Sequence, residues 1–190
     1  NISVPETIGL LIIYQSVVFF FFLLQKKRSK TSLNSLLRLI YLVIILHFVY
    51  IIVENNFLKN SPMFGAIFGF LYGPLFHLYT RSLIYKRIHL RKLSIHFIPA
   101  VLSLVFLVIV NSMNRNIIPS LEIWIVSLVS ATIMFYLGYS LRIIYAYNSI
   151  LPRIKSNVDQ ISLRWLKIII YLLISAILLY FIDSSISNVH

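Results

Sequence analysis

Few residues in this chain could do chemistry, and they are set in apolar surroundings. His47 and His77 stand deep inside long hydrophobic runs, and Arg81 follows His77 by four residues, which places both on one face of a helix. Imidazole can carry a proton, ligate a metal or make a directed hydrogen bond near neutral pH, so a histidine at such depth is a candidate functional group. The plainer role is a neutral ring bonded to a neighbouring helix. For Arg81 it is a long stem that lets the guanidinium reach the headgroups. His96 opens a later apolar run at its interface, where histidine needs little explanation.

The groups that would turn these residues into an active site are missing. Glu54, Glu122 and Asp183 fall near the outer ends of apolar runs and none falls at a centre, whereas proton relays and ion-coupled carriers need carboxylates at depth. His-Glu-x-x-His and His-x-x-Glu-His patterns, a Gly-x-Ser-x-Gly elbow and a phosphate-cradling glycine loop are all lacking. No polar filter segment marks a channel. With no cysteine, disulfides, thiolate chemistry and Cys-based metal sites are removed. The expectation is a protein that is not an enzyme, with no catalytic or metal residues and no cofactor.

The elements that must position His47, His77 and Arg81 follow from composition. A chain of 190 residues that is 59% hydrophobic and 12% charged, with a mean hydropathy of +0.90, cannot clothe itself in a water-facing surface. The apolar runs predict about six spans, near 8–24, 36–53, 64–84, 93–110, 118–145 and 163–182. They lack the period-2 alternation of barrel strands, so the fold class expected is all-α: one transmembrane helix bundle over residues 1–190. The fifth run is long enough that its turns from Arg142 should project past the hydrocarbon or tilt through it. The longest polar stretch, Ser149 to Ser162, leaves no room for a soluble domain between spans.

Charge placement orients this bundle. Lys26, Lys27, Arg28, Lys30 and Arg38 flank the first connection; Arg81, Lys86, Arg87, Arg91 and Lys92 the third; Arg142, Arg153, Lys155, Arg164 and Lys167 the fifth. Three groups of five leave only Lys59 and Arg115 on the opposite side, where Glu6, Glu54, Glu122 and Asp183 gather. The expectation is an N-terminus outside and, with six spans, His190 outside as well. The first run is followed, not preceded, by its basic cluster, the reverse of a secretory signal peptide, so it reads as a true first span. A start at Asn1 fits a trimmed chain. The net charge of +12 is spread evenly over three juxtamembrane connections, as topology requires. It therefore points to anionic lipid headgroups as partners, at ~1 kcal/mol per basic residue near the surface, and not to direct nucleic acid contact.

The third run is the most unusual. Gly65, Gly69 and Gly73 recur every four residues and predict a helix-packing seam against a neighbour. Pro74 lacks an amide hydrogen and clashes with the preceding turn, so it should kink or locally open the helix near mid-membrane. A tightly packed kinked helix is the plain account; a hinge or pocket wall is the functional one.

The string Tyr72-Gly-Pro-Leu-Phe-His-Leu-Tyr-Thr-Arg-Ser-Leu83, followed by His96-Phe-Ile-Pro99, resembles the N-terminal membrane domain of Bacteroidetes AraC-type helix-turn-helix regulators. The stretch Ile154-Lys-Ser-Asn-Val-Asp-Gln-Ile-Ser-Leu-Arg-Trp-Leu166 is similar to the loop entering the sixth span of that family. The resemblance implies seven spans with the N-terminus outside, in the bacterial cytoplasmic membrane, delivering a cytoplasmic DNA-binding domain; related membrane domains precede histidine kinases. Six spans here depart from that pattern, so either an output domain lies beyond His190 or the chain is a free-standing relative. No family role attaches to Gly73, Pro74, Arg81 or Trp165.

The leading expectation is a sensory membrane module in which the third span moves. An accessory subunit packing against another membrane protein, or a homo-oligomer, is the alternative, and a carrier or lipid-handling enzyme a third.

Overall fold

The computed structural model describes residues 4–25, 32–57, 64–85, 94–113, 118–154 and 163–187. They form six α-helices: α1 (Val4–Gln25), α2 (Ser32–Phe57), α3 (Gly65–Ile84), α4 (Ile98–Met113), α5 (Ile118–Ile154) and α6 (Arg164–Ser187). A 3₁₀ turn, Ser94–Phe97, leads into α4. No strand occurs among the described residues, so the chain is all-α. Prolines sit where helices tolerate them: Pro5, Pro99 and Pro119 fall in the first turns of α1, α4 and α5, where the missing amide hydrogen has no helical partner in any case.

Among the described residues, three helices contain stretches long and apolar enough to cross a membrane: Thr7–Leu24, Leu33–Asn56 and Ile123–Ile150. Ser94–Val110 is a shorter apolar stretch. Helix α3 is not among the three, because its glycines, Pro74, His77 and Arg81 dilute an otherwise apolar sequence. The helices overrun the hydropathy boundaries. α2 begins at Ser32 and ends at Phe57, and α5 continues to Ile154 through residues expected to lie in a connection. Apolar content marks where a chain leaves hydrocarbon; helical hydrogen bonding continues past that point, with no glycine or proline between Arg142 and Pro152, and α5 ends two residues after Pro152. At 1.5 Å per residue, the 37 residues of α5 span about 55 Å, well beyond a hydrocarbon core of about 30 Å.

The first three helices run antiparallel in succession, as paired contacts reveal. Phe19 stacks on Tyr41 while Gly9 lies against Phe48, between α1 and α2; Leu36 packs on Leu78 while Tyr50 meets Phe68, between α2 and α3. α3 and α5 run in the same direction, since Gly69 meets Val129, Gly73 meets Ile133, and His77 meets Ser140. α3 is the central element, touching α2, α4 and α5, whereas α1 packs on α2 and α6 on α5. The buried core is thin: Leu137, Ile144, Leu163, Leu166 and Ile170 form its main cluster between α5 and α6. Phe22, Leu102, Phe135 and Leu172, among many large apolar residues, face outward. Such an inverted distribution suits lipid and not water.

Hydroxyl groups fit the same picture. Thr80, Thr132, Ser140 and Ser175 each donate to the carbonyl one turn back on their own helix, at 3.0, 2.8, 2.7 and 2.8 Å. These bonds satisfy the hydroxyl protons without water.

Candidate functional site

The contact of α3 with α5 is close because of two glycines. A Cβ added at Gly69 would stand 2.5 Å from Val129 Cγ1; one at Gly73 would stand 3.2 Å from the Ile133 Cα and 3.1 Å from the Tyr136 ring. Gly65 does not belong to this contact. Its added Cβ would face Tyr50 of α2 at 3.4 Å, with His47 beside it. The expected three-glycine seam is therefore split between two neighbours. Each four-residue step advances about 40° around a helix, so eight residues turn the face by about 80°.

Pro74 is buried inside α3, and the helix runs unbroken through it. α2 and α5 hold the helix on two sides, and the group deprived of its helical donor is the carbonyl of Phe70, itself in the buried interior.

One turn beyond Pro74, the α3–α5 contact becomes polar. His77 is completely buried, as are Thr80 and Ser140. His77 Nδ1 lies 3.2 Å from Ser140 Oγ. Ser140 has one proton, which it donates to the Tyr136 carbonyl at 2.7 Å, so toward the histidine it accepts and Nδ1–H donates. That arrangement fixes the tautomer of the neutral ring and leaves the lone pair on Nε2. Nε2 is buried and has no hydrogen-bond partner among the described residues. An unpaired polar atom in low dielectric costs about 1–3 kcal/mol, so this one is an expensive feature to retain.

His77 sits within an aromatic shell, with ring centroids 4.8 Å from Tyr139, 5.7 Å from His96 and 5.8 Å from Tyr136. His96 is hydrogen-bonded through Nδ1 to the Tyr136 hydroxyl at 3.1 Å. The turn before α4 thus brings His96 into the cluster, contrary to the expectation that its interfacial position needed no account. Arg81 is exposed, lies over the Tyr85 ring at 5.9 Å, and is close enough to act electrostatically on both imidazoles.

His47 lies elsewhere, in the contact of α2 with α3. Its Nδ1 is hydrogen-bonded to the Tyr72 hydroxyl at 2.7 Å, its ring stacks on Phe68, and Tyr50 donates to Glu54 at 3.0 Å nearby. This is the satisfied histidine that the plainer expectation described. Replacing Tyr72 with phenylalanine should lower stability by about 0.5–1.5 kcal/mol in thermal unfolding, through loss of one half-buried hydrogen bond. No change would show that His47 finds another partner.

Sequence reasoning singled out His77 and Arg81 but missed Ser140, Tyr136 and Tyr139. Those three lie on α5, in a run whose hydroxyl side chains look unremarkable until α3 is laid alongside. Among the described residues no group of three or more His, Asp or Glu side chains could hold a metal ion. Of the basic connections, Lys26, Lys27, Arg28, Lys30, Lys86, Arg87, Arg91, Lys92 and Lys155 lie outside the described residues, and Arg153 falls in the last turn of α5. No family model, no curated protein and no solved structure matches the chain. The resemblance carried by Tyr72–Leu83, His96–Pro99 and Ile154–Leu166 therefore rests on those residues alone.

Proposed function

We propose that this chain is the sensory membrane module of a bacterial AraC-type transcriptional regulator, lying in the cytoplasmic membrane and biasing a cytoplasmic output domain. In this reading all six helices span, the N-terminus is outside, and α3 is the element that moves. The observation that carries it is His77: completely buried, bonded to α5 through one nitrogen and unpaired at the other. A half-satisfied polar group beside a glycine contact gives α3 and α5 a reason to adopt a second packing in which that nitrogen is paired, and such bistable contacts underlie switching. The two tryptophans add support: Trp124 and Trp165 are both exposed, and the proposed orientation puts one at each interface, as aromatic belts require.

Two experiments bear on this. Reporter fusions at Ser29, Ile88 and Ser156 should report cytoplasm, while those at Lys59 and Asn114 should not; reversed signals would overturn the orientation. Reading the gene beyond His190 should reveal a seventh apolar segment and a helix-turn-helix. An immediate stop codon would remove the regulator reading.

One observation favours a second reading, an accessory subunit that packs against another membrane protein. α2, α3, α5 and α6 leave an apolar groove of about 490 Å³, lined by Ile40, Ile44, Phe76, Leu173 and Ile177 among others, of a kind that a foreign helix could fill. Co-purification of a second integral membrane protein in fixed stoichiometry, lost on introducing Ile44→Arg, would decide for it.

A further inference from the structure

A cavity of about 510 Å³, open on its outer side, lies between α3, α4 and α5, lined by Phe70 and Leu107 within and by the exposed Leu102, Phe106, Trp124 and Leu128 at its mouth. That is the size of sites holding one small ligand, ~300–1,000 Å³. Its two hydroxyl residues have no proton left to give, because Ser103 donates to the Ala100 carbonyl and Thr132 to the Leu128 carbonyl, both at 2.8 Å, and each oxygen can only accept. The lining is otherwise apolar.

By helix position, one end of this cavity lies about a turn from the polar cluster. Pro99, on its lining, follows His96 by three residues, and Thr132 precedes Tyr136 by four on the same face of α5. On α3, Phe70, His77 and Arg81 lie along one stripe, at spacings of seven and four. Along its helices the cavity is thus followed by His96, bonded to the Tyr136 hydroxyl, and by the exposed Arg81 one turn beyond the buried His77. Among the described residues no carboxylate pairs with Arg81, whose described contact is the Tyr85 ring. An apolar tail with an anionic head complements both ends at once.

We propose that this cavity binds a single-chain anionic amphiphile of the fatty-acid class, its tail in the chamber and its carboxylate at Arg81 and His96. Hydrocarbon gains little by leaving lipid for an apolar wall, so the tail sets fit and the head sets affinity. A two-chain phospholipid would leave one chain behind in the bilayer. Seated there, the head draws on the His96–Tyr136 hydrogen bond, and Tyr136 also accepts the Ser140 proton that orients His77. That link to signalling rests on the sensory reading; the binding itself does not.

The test uses the two tryptophans of the chain. With Trp165→Phe, the cavity residue Trp124 is the sole indole of the full chain, reconstituted in phosphatidylcholine nanodiscs. Nitroxide-labelled stearic acid should quench it saturably, with displacement by oleic acid and none by oleyl alcohol. Arg81→Gln should weaken the apparent Kd by about tenfold or more, the loss expected for a charge-assisted hydrogen bond. Ser103→Phe, which fills the chamber, should abolish the saturable component. Non-saturable quenching, displacement by the alcohol as readily as by the acid, indifference to Arg81→Gln, or saturable quenching by nitroxide-labelled phosphatidylcholine would each overturn the proposal. Binding is read here without any transcriptional output. Its failure thus leaves the sensory reading untouched, and a failure of that reading leaves binding intact.

Discussion

Replacing Gly73 with leucine should damage the bundle more than any other single change in α3. An added Cβ there meets the α5 backbone at Ile133, which cannot rotate aside, and the Tyr136 ring. Overpacking costs about 1–3 kcal/mol where neighbours can adjust and more where they cannot, so a loss of about 3 kcal/mol or more is expected. Gly69→Leu should follow closely. Its Cβ falls 2.5 Å from a methyl of Val129, a β-branched side chain with little rotamer freedom inside a helix. Gly138 supplies the control, because nothing lies within 4 Å of a Cβ added there. Gly138→Leu should be neutral or slightly stabilising, since glycine costs about 1 kcal/mol in a helix interior. Thermal unfolding of the purified proteins, together with accumulation in membranes, orders the three. Wild-type behaviour of Gly73→Leu would mean that α3 and α5 do not approach as described.

The second large effect separates stability from function. His77→Leu removes a ring with one unpaired nitrogen and substitutes a side chain of similar bulk, while Ser140 keeps its bond to the Tyr136 carbonyl. Its stability should equal or exceed that of the wild type, by up to the ~1–3 kcal/mol that an unpaired buried group costs. Ser140→Ala has the opposite effect: it deletes the acceptor for Nδ1–H and leaves a buried imidazole with neither nitrogen paired, at about 1–3 kcal/mol. In the His77→Leu background the same alanine should cost less than ~0.5 kcal/mol, since no donor remains to be orphaned. Additive losses would show that Ser140 acts through something other than His77. A loss of 2 kcal/mol or more in His77→Leu alone would mean that Nε2 has a partner and that the ring is a structural anchor.

Much of this arrangement was legible in the residues. Unbroken apolar runs set the all-α class, and ionisable groups at His77 and His47 stood out against them. What a single sequence could not convey was which face meets which helix. Gly65, Gly69 and Gly73 read as one seam because the spacing is regular, but the drift of that face hands Gly65 to α2 and the other two to α5. His47 and His77 look equivalent in sequence; Tyr72 pairs one, whereas the partner of the other lies 63 residues away on a helix it reaches only in the folded bundle. Helix ends were misread for a different reason. Hydropathy falls at Tyr145, but the backbone of α5 continues to Ile154 because no glycine or proline interrupts it before Pro152 in its last turn.

Transcript profiling tests the proposal that His77 in the α3–α5 contact carries a regulatory signal. Cells bearing the full reading frame with His77→Leu are compared with wild type and with a deletion, after membrane fractions are matched for protein. The His77→Leu protein should accumulate normally yet give the transcript profile of the deletion. A wild-type profile from a normally accumulated His77→Leu protein would contradict it.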